Sequence, residues 1–123
     1  MTGPTYGSFE VEALSGPRFA QALKLFDEGR SFIFEGVSFA ARGKLVECCV
    51  LSSWTRPTKQ AALAELDRGE RVLAEVVTNS PEFASRVRGR ARVFLLVMDT
   101  GMSSVVLAER RDGEVRWNPG MDG

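Results

Sequence analysis

Residues 31–54 read SFIFEGVSFAARGKLVECCVLSSW and contain the clearest strand signals in the chain. Two apolar runs, 31–41 and 44–54, meet at the segment ARGK, where Gly43 favours a tight turn. Apolar runs rich in aromatic and branched residues on either side of a turn predict a β-hairpin. The first run carries large residues on both of its faces. It therefore predicts a central strand in a sheet covered on both sides, and another protein is one candidate for a cover.

Both cysteines of the chain lie side by side in the second run. Cys48 alternates with Val46 and Val50, so it is predicted to face the core while Cys49 faces the other way. A vicinal redox or soft-metal pair is the functional alternative. However, two thiolates alone make a poor zinc site, and adjacent cysteines rarely form an unstrained disulfide. We therefore expect no metal site and no cofactor.

The residue content also bears on catalysis. The chain has no histidine, which excludes Ser-His-Asp triads, Cys-His dyads and histidine-ligated metal sites. The sequence also lacks a phosphate-binding glycine loop, a dinucleotide-binding fingerprint and zinc-ligand spacing. We expect a protein that is not an enzyme.

Upstream of the hairpin, one strand and one helix are predicted. Residues 6–14 alternate weakly in hydropathy, as in an edge strand. Ser15 is suited to cap the start of a helix, with Pro17 in its first turn. Apolar residues at helical spacing run from there to about Glu28, and Gly29 is predicted to end the helix.

Downstream of the hairpin, residues 55–69 predict a helix. It begins at Pro57 or Thr58, and Gly69 is predicted to end it. Residues 70–79 fit both helical and strand periodicity, and their composition favours a helix.

A further short helix is predicted within residues 79–89. Ser80 is its predicted N-cap and Pro81 its first residue.

The last part of the chain predicts a three-stranded meander over 92–98, 103–109 and 114–117, with a strong turn signal at Asp112-Gly113. The ends, about 1–5 and 118–123, are predicted to fray. The chain is therefore predicted to be a single α+β domain, residues 1–123. Its sheet is mostly antiparallel, formed by the hairpin and the meander, with helices packed on it.

The overall composition is that of a soluble globular protein, with 44% hydrophobic and 26% charged residues. Sixteen Lys and Arg balance sixteen Asp and Glu, which favours neither general nucleic-acid affinity nor membrane attraction. No apolar run approaches the roughly 18 residues of a spanning helix. The N-terminus does not resemble a signal peptide, so we expect a cytoplasmic protein.

The triplet Asp99-Thr100-Gly101 follows an apolar strand, as in the catalytic loop of aspartic proteases. That chemistry needs two aspartates sharing a proton around one water, which a chain of this size would supply only as a dimer. The retroviral-type fold also needs a flap and a supporting loop after the triplet. The residues after Gly101 contain neither, so the triplet is predicted to be a hairpin turn.

The segment RVRGRAR, residues 86–92, places an arginine at every second position. These arginines are the basis of an alternative function, a small nucleic-acid-associated or regulatory domain that grips phosphates. The competing interpretation is a helix end whose arginines are solvated or paired with nearby acids. The candidate contacts are Arg86, Arg88, Arg90 and Arg92.

The C-terminal segment RVFLLVMDTGMSSVVLAERRDGEVRW, residues 92–117, resembles the closing meander of small bacterial immunity proteins. Those domains protect a cell against polymorphic toxins, including toxins of contact-dependent growth inhibition systems. The resemblance rests on the strand, the Asp-x-Gly-Met turn, the second strand, the Asp112-Gly113 turn and the terminal Trp117. The upstream segment LDRGERVLAEVVTNSPEF, residues 66–83, adds to it.

The resemblance implies a non-catalytic domain that binds and neutralises one cognate toxin domain by shape and charge complementarity. It implies no cofactor and no membrane or nucleic-acid partner, and a one-to-one complex. The candidate partner-binding residues are Asp99, Met102, Glu109, Arg110, Asp112 and Trp117.

Overall fold

The fold is described here from a computed structural model, which covers residues 9–51, 58–87, 90–98, 104–111 and 113–118. Within these ranges, seven strands form a single mixed sheet and three helices pack with it. The predicted α+β class with a mostly antiparallel sheet is confirmed. The strands are β1 (Phe9–Val11), β2 (Phe32–Phe34), β3 (Val37–Arg42), β4 (Leu45–Leu51), β5 (Ala91–Met98), β6 (Ser104–Arg111) and β7 (Glu114–Trp117). The helices are α1 (Gly16–Asp27), α2 (Lys59–Asn79) and α3 (Pro81–Val87).

The strands lie in the sheet in the order in which they occur along the chain. The β1–β2 and β4–β5 pairs are parallel, and the other four neighbouring pairs are antiparallel. Parallel neighbours need a crossover connection, which α1 supplies in the first case and α2 with α3 in the second. The topology therefore repeats a strand–helix–strand–strand unit that is not apparent as a repeat in the sequence.

The run 31–41, predicted as one strand, is two strands joined by a tight turn. Phe34 and Val37 are paired across the turn, and the residues between them, Glu35 and Gly36, have φ of 50° and 76°. Positive φ at both central residues is the geometry of a type I′ hairpin turn. Arg68 of α2 holds this turn by donating from Nη1 to the Glu35 carbonyl oxygen at 2.9 Å.

This turn corrects the prediction of a strand that is apolar on both faces. Reversing the chain at Glu35-Gly36 brings the phenylalanines of β2 and β3, with Val37, to the same side of the sheet. Phe32 is paired with Phe39, and both are fully buried, as is Val37. The aromatic residues of both strands therefore lie on one face, and Ile33 is the one large apolar residue of this run on the other face.

The predicted helix starts are confirmed. Ser15 stands at the N-cap position of α1, although its side chain makes no capping hydrogen bond, and Gly29 follows the helix with φ of 84°. The Ser80 hydroxyl accepts a hydrogen bond from the Phe83 amide at 3.1 Å, which caps α3. None of the described helices is long and apolar enough to cross a membrane.

The prediction that Gly69 ends a helix is wrong. Helix α2 starts after Thr58, whose side chain accepts from the Ala61 amide at 3.1 Å, and continues through Gly69 to Asn79. A Cβ atom at Gly69 would lie 2.5 Å from a methyl group of Val50 and 2.8 Å from one of Val93. The glycine is therefore a point of close approach between α2 and the sheet.

The C-terminal meander β5–β6–β7 is confirmed, with a register shift between Leu95 and Leu96. Asp112 and the 99–103 connection lie outside the described residues. Asn118, which the sequence places in a fraying end, donates from its amide to the Leu107 carbonyl oxygen at 2.9 Å.

The core lies between the three helices and one face of the sheet. Its centre is an aromatic cluster around Phe32, which is fully buried. The Phe32 ring stacks on that of Phe39 at 5.2 Å between centroids. It meets three helical rings edge-on at 5.8–6.1 Å, those of Phe19, Phe26 and Phe83. Offset and edge-to-face pairs of this kind add stability beyond the area that they bury.

Candidate protein-binding face

The second face of the sheet is formed by side chains that alternate with the core residues. The strand register aligns one such residue from every strand in a single row across the sheet. We call this side the helix-free face and define it by that row: Glu10, Ile33, Ser38, Cys49, Phe94, Glu109 and Arg116. Within the described ranges, the core contacts of all three helices are made with the other face.

The middle of the defining row is largely apolar and its two ends carry opposite charges, while a charged network on β4, β5 and β6 lies beside this apolar part. Ile33, Cys49 and Phe94 lie in the central part of the row, whereas Glu10 is on β1 and Arg116 on β7, the two outer strands. Ile33 and Cys49 are partly exposed to solvent. An antiparallel sheet that faces water normally carries polar residues on its outer side, so this apolar centre calls for an explanation.

Phe94 is only 8% exposed although no described helix covers it. The guanidinium of Arg92 lies over the Phe94 ring, 4.5 Å from its centroid, in a cation–π contact. Arg92 is held in that position by two carboxylates on the neighbouring strands. Its Nη1 donates to Glu47 at 2.9 Å, and its Nη2 donates to Glu109 at 2.9 Å.

The Glu47–Arg92–Glu109 network is shielded from water, with each side chain 18–19% exposed. Burial acts to lower the pKa of Arg92, but hydrogen bonds and charge attraction from Glu109 and Glu47 outweigh burial and raise the pKa. The guanidinium is therefore a fixed cation, anchored by two charge-assisted hydrogen-bonding partners. The network therefore places three ion-paired side chains beside Cys49 and Phe94 on the helix-free face.

The two cysteines point to opposite faces, as predicted. Cys48 is fully buried under the helices, and Cys49 is on the helix-free face. Burial raises the pKa of the Cys48 thiol to about 12 and that of the Cys49 thiol to about 11. Both thiols are therefore protonated near neutral pH, and neither resembles an activated nucleophile. Among the described residues, no group of three or more metal-ligating side chains is found.

The described members of the predicted partner-binding set do not share one surface. Glu109 is on the helix-free face, within the Arg92 network. Arg110 is paired with Val93 on the helix-bearing side, where it binds Asp67 and also Glu70 of α2. Trp117 is also on that side, and the Lys59 ammonium nitrogen lies over its ring, 5.2 Å from the ring centroid. The other three predicted residues, Asp99, Met102 and Asp112, lie outside the described part of the chain.

The predicted basic cluster is also divided. Arg86 binds Asp27 through two hydrogen bonds of 2.7 Å, which lower the pKa of Asp27 and raise that of Arg86. Arg92 is engaged in the network on the opposite side of the sheet. Arg90 is exposed, and Arg88 lies outside the described residues. The alternating arginines therefore do not form one phosphate-binding surface, because two of them are neutralised by carboxylates on different faces.

Sequence reasoning missed most of the row that defines the helix-free face. Ile33, Ser38, Cys49, Phe94 and Arg116 carry no motif, and their common orientation follows from the pairing of strands distant in sequence. The available signal was the strand alternation itself, which places Phe94 opposite in orientation to Val93.

No protein-family model, no curated protein and no solved structure matches this chain.

Proposed function

We propose that the protein is an immunity protein, which binds and neutralises one cognate toxin domain without catalysis. The observation that carries this proposal is the helix-free face, with its apolar centre and its anchored Arg92–Phe94 pair. Apolar side chains such as Ile33 and Cys49 gain little from facing water, and a partner that covers them would account for their place on this face.

The chemistry of this face is that of a protein interface. Aromatic residues and arginine are the residue types that most often dominate binding energy in such interfaces. Arg92 is already held by Glu47 and Glu109 before a partner arrives. Little side-chain freedom would remain to be lost on binding, and such preorganisation favours high affinity.

The charges at the edges of the face define the complementary surface of the partner. Glu10 lies at the β1 end of the row and Arg116 at the β7 end, and both side chains are exposed. A matching toxin surface would be apolar in the middle, basic near β1 and acidic near β7. Complementarity of this kind sets orientation and the rate of association more than affinity itself.

The toxin as partner rests on the resemblance of residues 92–117 to the closing meander of immunity proteins. In this account the protein acts in the cytoplasm, where it meets toxin that has entered from a neighbouring cell. It forms a one-to-one complex and uses no cofactor.

Co-expression with the toxin domain encoded beside its gene tests the proposal. Cells that produce both proteins should grow, and the purified pair should elute as a one-to-one complex. Cells that produce the toxin domain alone should die. Continued killing in the presence of the protein, or a neighbouring gene that encodes no toxin, would contradict the proposed function.

The variant Ser38→Arg tests the surface. Ser38 is partly exposed between Ile33 and Cys49 on the helix-free face. An arginine at this position would block close approach of a partner without removing a core side chain. We expect affinity for the toxin domain to fall at least about tenfold, or about 1.4 kcal/mol, with loss of rescue. The matched control is Ala64→Arg on the exposed side of α2, which should bind like the unmodified protein. Equal affinity of the two variants for the toxin domain would mean that the helix-free face is not the toxin-binding surface.

A further inference from the structure

A second surface, on the helix-bearing side of the sheet, has the features of a small-molecule site. A cleft of about 1050 Å³ lies between the end of α1, the β3–β4 turn and the end of α3. Ligand sites of small molecules typically span about 300–1000 Å³. This cleft is separate from the helix-free face, because Ala41, which lines the cleft, lies on the opposite side of β3 from Ser38.

One wall of the cleft is a fixed ion pair. Arg86 donates from Nε and Nη2 to the two carboxylate oxygens of Asp27, and from Nη1 to the Glu82 carbonyl oxygen at 2.6 Å. Each of the three guanidinium nitrogens therefore has an acceptor. The pair ties α3 to the end of α1 and contributes no net charge to the cleft.

Two further cations at the cleft are not neutralised in this way. Lys44 in the β3–β4 turn and Arg90 before β5 both line the cleft, and both are exposed. Within the described residues, neither side chain has a hydrogen bond or an ion pair. The described residues that line the cleft therefore carry a net charge of two positive units, from Lys44 and Arg90.

The floor of the cleft is apolar and formed by Phe26, Ala41 and Val87. We propose that this cleft binds a phosphate monoester that carries an apolar group, with Lys44 and Arg90 on the phosphate and the apolar group on the floor. A phosphate monoester carries about 1.5 to 2 negative charges near neutral pH. This charge matches the two cations better than the single negative charge of a carboxylate ligand would. A few converging polar groups above an apolar surface are the usual composition of a ligand site.

The fold itself offers a competing reason for cations here. Helices α1 and α3 both end at the cleft, and the carbonyl end of a helix attracts positive charge without any ligand. In that case Lys44 and Arg90 would affect the stability of the fold and would not bind an anion. A binding experiment separates the two explanations.

The test is a titration with phenyl phosphate at constant ionic strength, followed by amide NMR of Gly29 and Gly43, which line the cleft. We expect saturable shifts of these two amides, with phenyl phosphate binding more tightly than inorganic phosphate. The double variant Lys44→Gln/Arg90→Gln should raise the dissociation constant at least about tenfold. The matched control is Arg71→Gln, which removes a charge from an exposed position outside the cleft and should not change the dissociation constant.

Three results would overturn the proposal. The first is the absence of a saturable shift at about 10 mM phenyl phosphate, a concentration well above the dissociation constant of a functional site. The second is unchanged binding by the double variant, with its fold verified by circular dichroism. The third is equal affinity for phenyl phosphate and inorganic phosphate, which would remove the role of the apolar floor. None of these results bears on toxin binding by the helix-free face.

Discussion

Replacing Phe32 by alanine is expected to lower the free energy of unfolding by about 3–5 kcal/mol. Phe32 is fully buried, and its ring contacts four other phenylalanine rings that come from α1, β3 and α3. Its removal would leave a cavity at the point where the helices meet the first half of the sheet. Since small domains have a free energy of unfolding of about 5–15 kcal/mol, this one substitution would remove a large part of the stability.

Urea unfolding followed by circular dichroism measures this loss. The matched control is Phe9→Ala, the same chemical change at the residue paired with Phe32 on the edge strand, where the side chain is only partly buried. Phe9→Ala should cost clearly less than Phe32→Ala. Equal losses in the two variants would mean that the aromatic cluster is not the centre of the core.

The second large effect is expected at Gly69, where alanine should destabilise the protein although alanine favours helices. Removing a glycine from a helix normally gains up to about 1 kcal/mol. At Gly69 the added methyl group would meet Val50 at 2.5 Å and Val93 at 2.8 Å, both on strands of the sheet. Overpacking of a core costs about 1–3 kcal/mol, so we expect a net loss of stability.

A double-mutant cycle with Val50→Ala isolates the cause. If the Gly69→Ala methyl group is crowded by Val50, the double variant should lose less stability than the sum of the two single losses. The cycle is measured by urea unfolding of all four proteins. An increase in stability on Gly69→Ala alone would show that α2 does not approach the sheet so closely.

Local signals in the sequence predicted most of the helices and strands. Ser80 and Pro81 marked the start of α3, because capping and a fixed φ act within a few residues. The alternation of Val46, Cys48 and Val50 identified the buried side of β4 for the same reason. The two wrong predictions of secondary structure both lie at a glycine. The turn at Gly36 was missed because the preceding residue is Glu35, which is a weaker hairpin signal than asparagine or aspartate. The helix end at Gly69 was wrong because this glycine allows close contact with strands that are distant in the chain.

The candidate site depends on contacts that no local pattern encodes. Arg92 is separated from Glu47 by 45 residues and from Glu109 by 17, and the pairing of β4 with β5 brings the three together. That pairing is parallel and follows a long helical crossover. Its register is set by packing over the whole domain, so no local pattern indicates that Arg92 lies on the helix-free face, away from Arg86.

The Cys49 thiol reports directly on whether a partner covers the helix-free face. The rate of its reaction with N-ethylmaleimide is compared for the free protein and for the complex with the toxin domain. Cys48 is fully buried and should not react with N-ethylmaleimide. The Ala74→Cys variant provides a reference thiol on the exposed side of α2. We expect complex formation to slow labelling of Cys49 at least about tenfold and to leave the labelling rate of the reference thiol unchanged. Equal labelling rates of Cys49 in the free and bound protein would mean that the partner does not cover this face.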